Sequence, residues 1–386
     1  MLLIGTLVLA LIAGLVAIIT ITIGTGDDKD ADRKKAAAIT QQTWLGIGAD
    51  PASKEASWLT LFSWDRKARR GFVLYLPRTT LVEMPGYGGG PEAVGKALSF
   101  GGEELQVGAL SNLLGVGFEH SVTFSPAAIP SLADASGGLV IDVPEKLSKR
   151  DGDGRVRTVF SEGSQKLDGA GVAEYLSLLD EAGDEIGRGA RHAQVWAALF
   201  DHYRVPANRS SLAADLDKIK DQLKTKTEIA AVSSFFTKFG GVPERSVVFE
   251  TLPVEPQGVE TGAQYYRPNA ESTQRLIERY LAGSRPHGAG EPGRRIQILN
   301  GNGIPGVGGK VAEVLVPKGF RVVLDGNAKN FEYSTTQILV YSSSKDALAV
   351  GAEIRDILGV GEVVVSRQRQ TVVDVTVVVG KDYPKG

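Results

Sequence analysis

Cysteine is absent from the 386 residues. Disulfide staples, thiolate zinc sites, iron–sulfur clusters and a cysteine nucleophile are excluded together, although the compartment is not fixed by that absence. Histidine is scarce, at four. His120, His192, His202 and His287 form no HExxH or comparable metal spacing, and no GxSxG elbow recommends a serine hydrolase. An excess of positive charge is also lacking: 43 Lys and Arg stand against 45 Asp and Glu, a net charge of -2. No global positive field attracts nucleic acid, so any polyanion must be held by a local pocket. With no basic recognition helix visible, a DNA-binding regulator is disfavoured.

What is present is ordinary globular composition, 42% hydrophobic and 23% charged, in a chain long enough for two or three units at roughly 150 residues each. The run Leu2–Gly24 carries no charge. At 1.5 Å per helical residue it reaches about 34 Å, enough to cross a hydrocarbon core of about 30 Å. It is too long for a signal-peptide apolar region and no base precedes it, which predicts a retained anchor over residues 1–24. Lys29, Arg33, Lys34 and Lys35 follow it and argue for a cytoplasmic C-terminal side. Asp27, Asp28, Asp30 and Asp32 interleave with them and weaken that argument. A polar, Ala-rich stalk is expected over 25–42.

Two further breaks are read from composition. Thr251–Asn269 is rich in Pro, Gly and polar residues, and SRPHGAGEPGRR predicts a flexible linker at 284–293. A large unit at 43–283 and a small one at 294–386 remain. In the large unit FVLYLP, SVTFS and LVIDVP are β-rich. AEYLSLLDEAG, ARHAQVWAALFDHY and SSLAADLDKIKDQLKTKTEIAAVSSFFTKF carry helical periodicity. Helices covering a sheet are the simplest solution. Trp58 and Trp64 fall on one face of a strand-like run, as core or groove lining.

The order of the pieces LGIGAD (Leu45–Asp50), LPRT (Leu76–Thr79), Gly101-Gly102, LLGVGFEH, LADASGGLVIDVP, LDG (Leu167–Gly169) and GRGARHAQ (Gly187–Gln194) resembles the LytR-CpsA-Psr (LCP) family of bacterial envelope proteins. The resemblance implies an α/β fold with helices covering a mixed sheet behind an N-terminal transmembrane helix. It also implies a place in the cytoplasmic membrane with the bulk outside the cell, against the count of bases. Polyprenyl-pyrophosphate-linked glycans as ligands, peptidoglycan as acceptor and magnesium held by acids are implied as well.

Moving a glycosyl phosphate off a pyrophosphate needs guanidinium forks on the oxygens and a hard cation held by carboxylates. Arg78 at a strand end, and Arg188 and Arg191 one helical turn apart, are the candidate phosphate ligands, with His192 on the same face as Arg188. The carboxylates are missing. Ser57 and Thr79 stand where the family pattern has acids, and Ser177 and Leu179 stand where it has arginines. Asp180, Glu181, Asp184 and Glu185 read more cheaply as helix-start acids paired with Arg188. No metal ligand and no catalytic residue is assigned; Mg²⁺ is expected only if the protein is active. Two functions stay open. One is an envelope protein with impaired catalysis that binds a polyprenyl-linked glycan or an envelope protein partner. The other is an active glycopolymer transferase.

The small unit contains Gly301-x-Gly303-x-x-Gly306 between a strand and a helix, with Asp325 ending the next strand. That pattern fits a dinucleotide fingerprint, but about 90 residues are too few for a doubly wound sheet, and Pro305 sits where an amide is needed. QILNGNGIPGVGGKVAEVLVPKGFRVV through VTVVVGKDYP instead resembles the C-terminal module of LCP proteins, a small α/β sandwich.

Overall fold

The computed structural model of the chain describes residues 41–82, 84, 91–178, 185–260, 262–284, 295–315, 318, 320–366 and 373–384. The expected anchor at 1–24, nearly all of the stalk and the linker, and Leu179 lie outside them. Among the described residues no helix is long and apolar enough to cross a membrane.

The large unit opens with three antiparallel strands, β1 (Gln41–Ala49), β2 (Ala56–Asp65) and β3 (Arg70–Leu76). Helix α1 (Ala97–Leu114) leads to β4 (His120–Phe124), which runs parallel to β1. Then come α2 (Ala128–Ala135), β5 (Leu139–Val143), β6 (Leu147–Arg150), β7 (Val156–Phe160) and β8 (Gly163–Leu167). Helices α3 (Gly169–Ser177), α4 (Glu185–Arg204), α5 (Leu212–Lys218) and α6 (Ile229–Gly240) follow, before β9 (Val247–Thr251), β10 (Val254–Glu260), β11 (Ala263–Pro268) and α7 (Ala270–Tyr280). The central sheet has six strands, with Leu223–Lys224 at one edge, then β4, β1, β2, β3 and β9.

Its strands are apolar on both faces, as strands covered by helices on both sides must be. In β2 and β3 the two-residue period sends Trp58, Phe62, Trp64, Val73 and Tyr75 to one layer, with Trp196 of α4 and Phe235, Phe236 and Phe239 of α6. Leu59, Leu61, Phe72, Leu74 and Leu76 go to the other, with Leu105, Ala109 and Leu110 of α1 and Leu276 and Ile277 of α7. Trp58 and Trp64 thus share a face. Helix α4 comes close to the sheet at Gly189, where a Cβ would lie 2.5 Å from the Tyr75 ring. Any larger residue would push the helix outward.

Two stretches depart from the sequence reading. The Pro/Gly-rich Thr251–Asn269 is a ribbon, β10 paired antiparallel with β11, closed by the turn Asn269 makes as N-cap of α7. The long helical pattern from Ser210 to Phe239 breaks into α5 and α6, because Leu223–Lys224 leaves the helix to pair with β4. Sheet pairing there outweighs the local periodicity.

The small unit has β12 (Arg295–Asn300), α8 (Val307–Leu315), β13 (Arg321–Asn327), β14 (Gln337–Val340), α9 (Lys345–Leu358), β15 (Glu362–Val365) and β16 (Val375–Val379). Its five-stranded sheet is ordered β13-β12-β16-β14-β15, with β14 and β16 antiparallel and the other neighbours parallel. A doubly wound nucleotide fold is excluded. The glycine loop is tied up internally: the Asn300 amide oxygen accepts from the N–H groups of Asn302 (3.2 Å) and Gly303 (2.9 Å), and Asn302 accepts from that of Ile304 (3.0 Å). Those amides cannot cradle a pyrophosphate.

Candidate functional site

The parallel pair β1 and β4 ends at Ala49 and Phe124, and a cavity of about 380 Å³ opens just beyond those carboxyl ends. Asp50 and Pro51 after β1, Ser57 and Trp58 of β2, Ser125 and Ile129 around the start of α2, Leu176 and Ser177 of α3, and Arg188 and His192 of α4 line it. Crevices at the carboxyl ends of sheet strands are where α/β folds take ligands.

Local capping fixes the walls. Asp168 of the LDG motif accepts from the Gly171 N–H at 2.8 Å and starts α3. Asp134 accepts from the Gly169 N–H at 2.7 Å and ties α2 to α3. A Cβ on Gly169 would meet that carboxylate at 2.3 Å, so the motif glycine is required there. Both acids serve architecture.

Glu185, in the first turn of α4 where the helix dipole favours a carboxylate, is 1% exposed. It accepts from Arg78 Nε at 3.0 Å, Arg188 Nη1 at 3.4 Å and the Tyr75 hydroxyl at 2.9 Å. Burial, then the neighbouring Glu185 charge, hold the Tyr75 phenol well above its ordinary pKa, so it stays a donor. The expected pairing of Glu185 with Arg188 is present, and Glu185 also joins Arg78 to Arg188.

Arg78 and Arg188 are therefore brought together. Arg191 is not joined to them through Glu185: it is buried and its guanidinium donates to the Leu178 carbonyl, and of the three arginines Arg188 alone lines the cavity. The expectation of three arginines in one cluster is corrected to two, because the third is drawn to the carboxyl end of α3. Ser57 and Ser177 line the cavity, with the Ser177 hydroxyl donating to the Glu174 carbonyl at 2.9 Å. Thr79 is buried and donates to the Gln264 carbonyl at 2.7 Å, pinning the chain after β3 to β11.

Sequence reasoning quoted Asp50 within LGIGAD without giving it a role. Its Oδ1 accepts from the N–H groups of Ala52 (2.8 Å) and Ser53 (3.4 Å). The Ala52 bond is the main reason that its carboxyl lies below the usual range, with Arg78 adding to the effect. An acid directly after the first strand was the signal that could have found it. His192 is 1% exposed, and neither ring nitrogen has a hydrogen-bond partner; the buried Nε of Arg188 has none either. Burial, with Arg188 and Arg191 nearby, pushes the His192 pKa well below 6.5 and keeps the ring neutral.

Arg78 and Arg188 are matched by Glu185 and Asp50, so the site carries donors without a large positive surplus. For Mg²⁺ the donors converge poorly. Among the described residues no group of three or more His, Asp or Glu could hold a metal; Asp50 is a single carboxylate, and Thr79 has committed its hydroxyl. These residues do not fit the ion. In the core behind the cavity, Trp196 stacks on Phe236 at 5.8 Å and Phe200 on Phe239 at 4.8 Å. The void left between Phe124, Trp196 and Phe236 is about 20 Å³, little more than one water needs.

A profile of the LytR_cpsA_psr family matches residues 57–280. The chain belongs to the LytR-CpsA-Psr family. A second profile, described as LytR cell envelope-related transcriptional attenuator, matches residues 294–383. The polyisoprenyl-teichoic acid–peptidoglycan teichoic acid transferase TagT of Bacillus subtilis is 25% identical over 239 residues, 60% of this chain and 70% of its own length. The Enterococcus faecalis transferase TagU is 25% identical over 154 residues, 40% of this chain and 48% of its own. Among solved structures, B. subtilis TagV superposes with a TM-score of 0.55 at 19% identity, covering 64% of this chain and 97% of TagV. A structure of TagT bound to LI-WTA gives 0.51 at 20% identity, covering 64% of this chain and 91% of that one. These superpositions establish that the large unit has the LCP fold.

Proposed function

We propose that this LCP protein is anchored in the bacterial cytoplasmic membrane with both α/β units outside, and that it binds the phosphate head of a polyprenyl-linked glycan during envelope assembly with impaired catalysis. The observation that carries the binding reading is the set of open donors at one cavity. Arg188 Nε and the His192 ring are buried without partners, and leaving such groups unsatisfied costs about 1–3 kcal/mol each. A ligand with phosphate oxygens accepts from Arg188 and from the one N–H of the neutral His192 ring, with Arg78 tied to Arg188 through the Glu185 base.

Impaired turnover follows from charge. Ser57 and Thr79 cannot neutralise a divalent cation, and without that cation the leaving phosphate keeps its full charge. The filled core also favours recognition of the head over deep uptake of a polyprenyl chain. An active transferase is the second reading. It is favoured by Asp50, a carboxylate that lines the cavity, and by the transferase names of the relatives. The test is to incubate the purified protein with Mg²⁺ and a polyprenyl-pyrophosphate glycan. Binding without phosphate release, lost in Arg78→Ala, is expected. Turnover abolished by Arg78→Ala would establish the enzyme instead.

A further inference from the structure

Between β5 and β8 the chain runs out and back as the β6–β7 ribbon. Ser148 to Thr158 are exposed without interruption, so both faces of the ribbon meet solvent. Two-stranded ribbons of this kind are marginal by themselves, and this one carries a further handicap. Lys149 stands directly opposite Arg157 across the two strands. Like charges in that register destabilise a pair, and neither side chain has an ion-pair partner among the described residues. From Lys146 to Arg157 the segment holds Lys146, Lys149, Arg150, Arg155 and Arg157 against Asp151 and Asp153, in a chain whose net charge is -2. The turn has already engaged Asp151, whose Oδ1 accepts from the N–H groups of Asp153 (3.1 Å) and Arg155 (2.8 Å). Glu145 and Glu162 flank the segment outside its strands.

The ribbon is rooted in the cavity wall. Phe160, its last residue, packs edge-on against Tyr175 at 5.1 Å. Tyr175 lies on α3 between Ala173 and Leu176, which both line the cavity. The ribbon is thus anchored on α3, one wall of the cavity whose Arg188 is carried by α4.

The geometry points to the β6–β7 ribbon as a docking strip for a linear anionic glycopolymer, one with a negative charge on each repeat. The choice of occupant rests on the glycan reading above; the strip itself does not. Repeating anions match cations set one strand spacing apart, and binding of that kind is salt-sensitive and tolerant of sequence.

The experiment uses the full chain in detergent, with poly(glycerol phosphate) as the polymer, neutral dextran as the control and phosphatidylglycerol vesicles as the competing surface. Inorganic pyrophosphate reports on the cavity separately. The polymer should bind, dextran should not, and affinity should fall steeply from about 50 to 500 mM salt. The double substitution Lys149→Glu with Arg157→Glu should weaken polymer binding about tenfold, and Lys149→Gln with Arg157→Gln less, with folding intact by thermal melting. Pyrophosphate binding should persist in both. Polymer affinity unchanged by charge reversal overturns the docking strip whatever the cavity binds. A ribbon-dependent preference for the vesicles over the polymer overturns it too, by assigning the ribbon to a membrane.

Discussion

Two regions of this chain look like phosphate sites on paper, and they behave in opposite ways. The Asn300–Gly306 loop has the glycine spacing of a nucleotide cradle, yet the Asn300 and Asn302 side chains take its amides. The cavity beside α4 has no such fingerprint, yet it keeps Arg188 Nε and both His192 nitrogens without partners. Glycine spacing describes a turn, whereas a ligand site is recognised by polar groups that the fold has buried and left open.

The largest expected effect tests the base of the cavity. Glu185→Ala removes the buried acceptor shared by Tyr75, Arg78 and Arg188 and leaves two guanidinium groups facing each other. A loss of about 3 kcal/mol is expected, at the lower end for breaking a buried pair because Arg78 is 31% exposed. Urea unfolding measures it, and a loss below about 1 kcal/mol would mean that the two arginines do not depend on Glu185. The loop should give less. Asn300→Ala deprives two amides of an acceptor, at about 2 kcal/mol for the small unit, with pyrophosphate binding untouched; weakened binding would break the contrast between the regions.

The open donors themselves can be read through pH. His192 has a depressed pKa in the folded state, so below 6.5 the unfolded chain takes up a proton that the folded chain refuses. Stability is therefore full above that value and declines as pH falls. From pH 7.5 to 5.5 stability should fall by on the order of 1 kcal/mol. His120 and His202 are also lowered, by burial, so the comparison to make is with His192→Phe, which should remove this share of the slope. The same substitution should raise stability at pH 7.5 by about 1–3 kcal/mol, because an apolar ring of similar shape has no buried nitrogens left unsatisfied, while pyrophosphate binding falls. A stable protein whose pyrophosphate affinity is unaltered would show that His192 is core and not site.

Much of the fold was legible because burial on both faces of a sheet leaves unbroken apolar runs such as Gly71–Leu76, and because the α4 pattern continues through Tyr203. Periodicity failed where pairing overruled it, at Leu223–Lys224 and in the Pro-rich β10–β11 ribbon. At the site, the sequence identified Arg78 and Arg188 as cations but gave no means of seeing that Glu185 unites them, since Arg78 lies 107 residues away. Helical spacing placed Arg191 beside Arg188; only the path of α3 shows that the Leu178 carbonyl claims it. Asp50 escaped notice because its role depends on where β1 ends relative to β4, which is a tertiary fact.

The smallest effect extends the contrast to the surface. In the cavity, groups without partners are buried; on the β6–β7 ribbon, Lys149 and Arg157 are solvated and repel each other. If that juxtaposition answers to a ligand, relieving it should leave the free protein slightly more stable. Lys149→Gln should gain about 0.3 kcal/mol at low salt, the scale of a single cross-strand pair, and the gain should vanish at high salt as screening removes the repulsion. A loss in its place would mean that Lys149 packs its methylene stem against the ribbon and holds it up, and the like-charged pair would then be a structural compromise with no bearing on a polyanion.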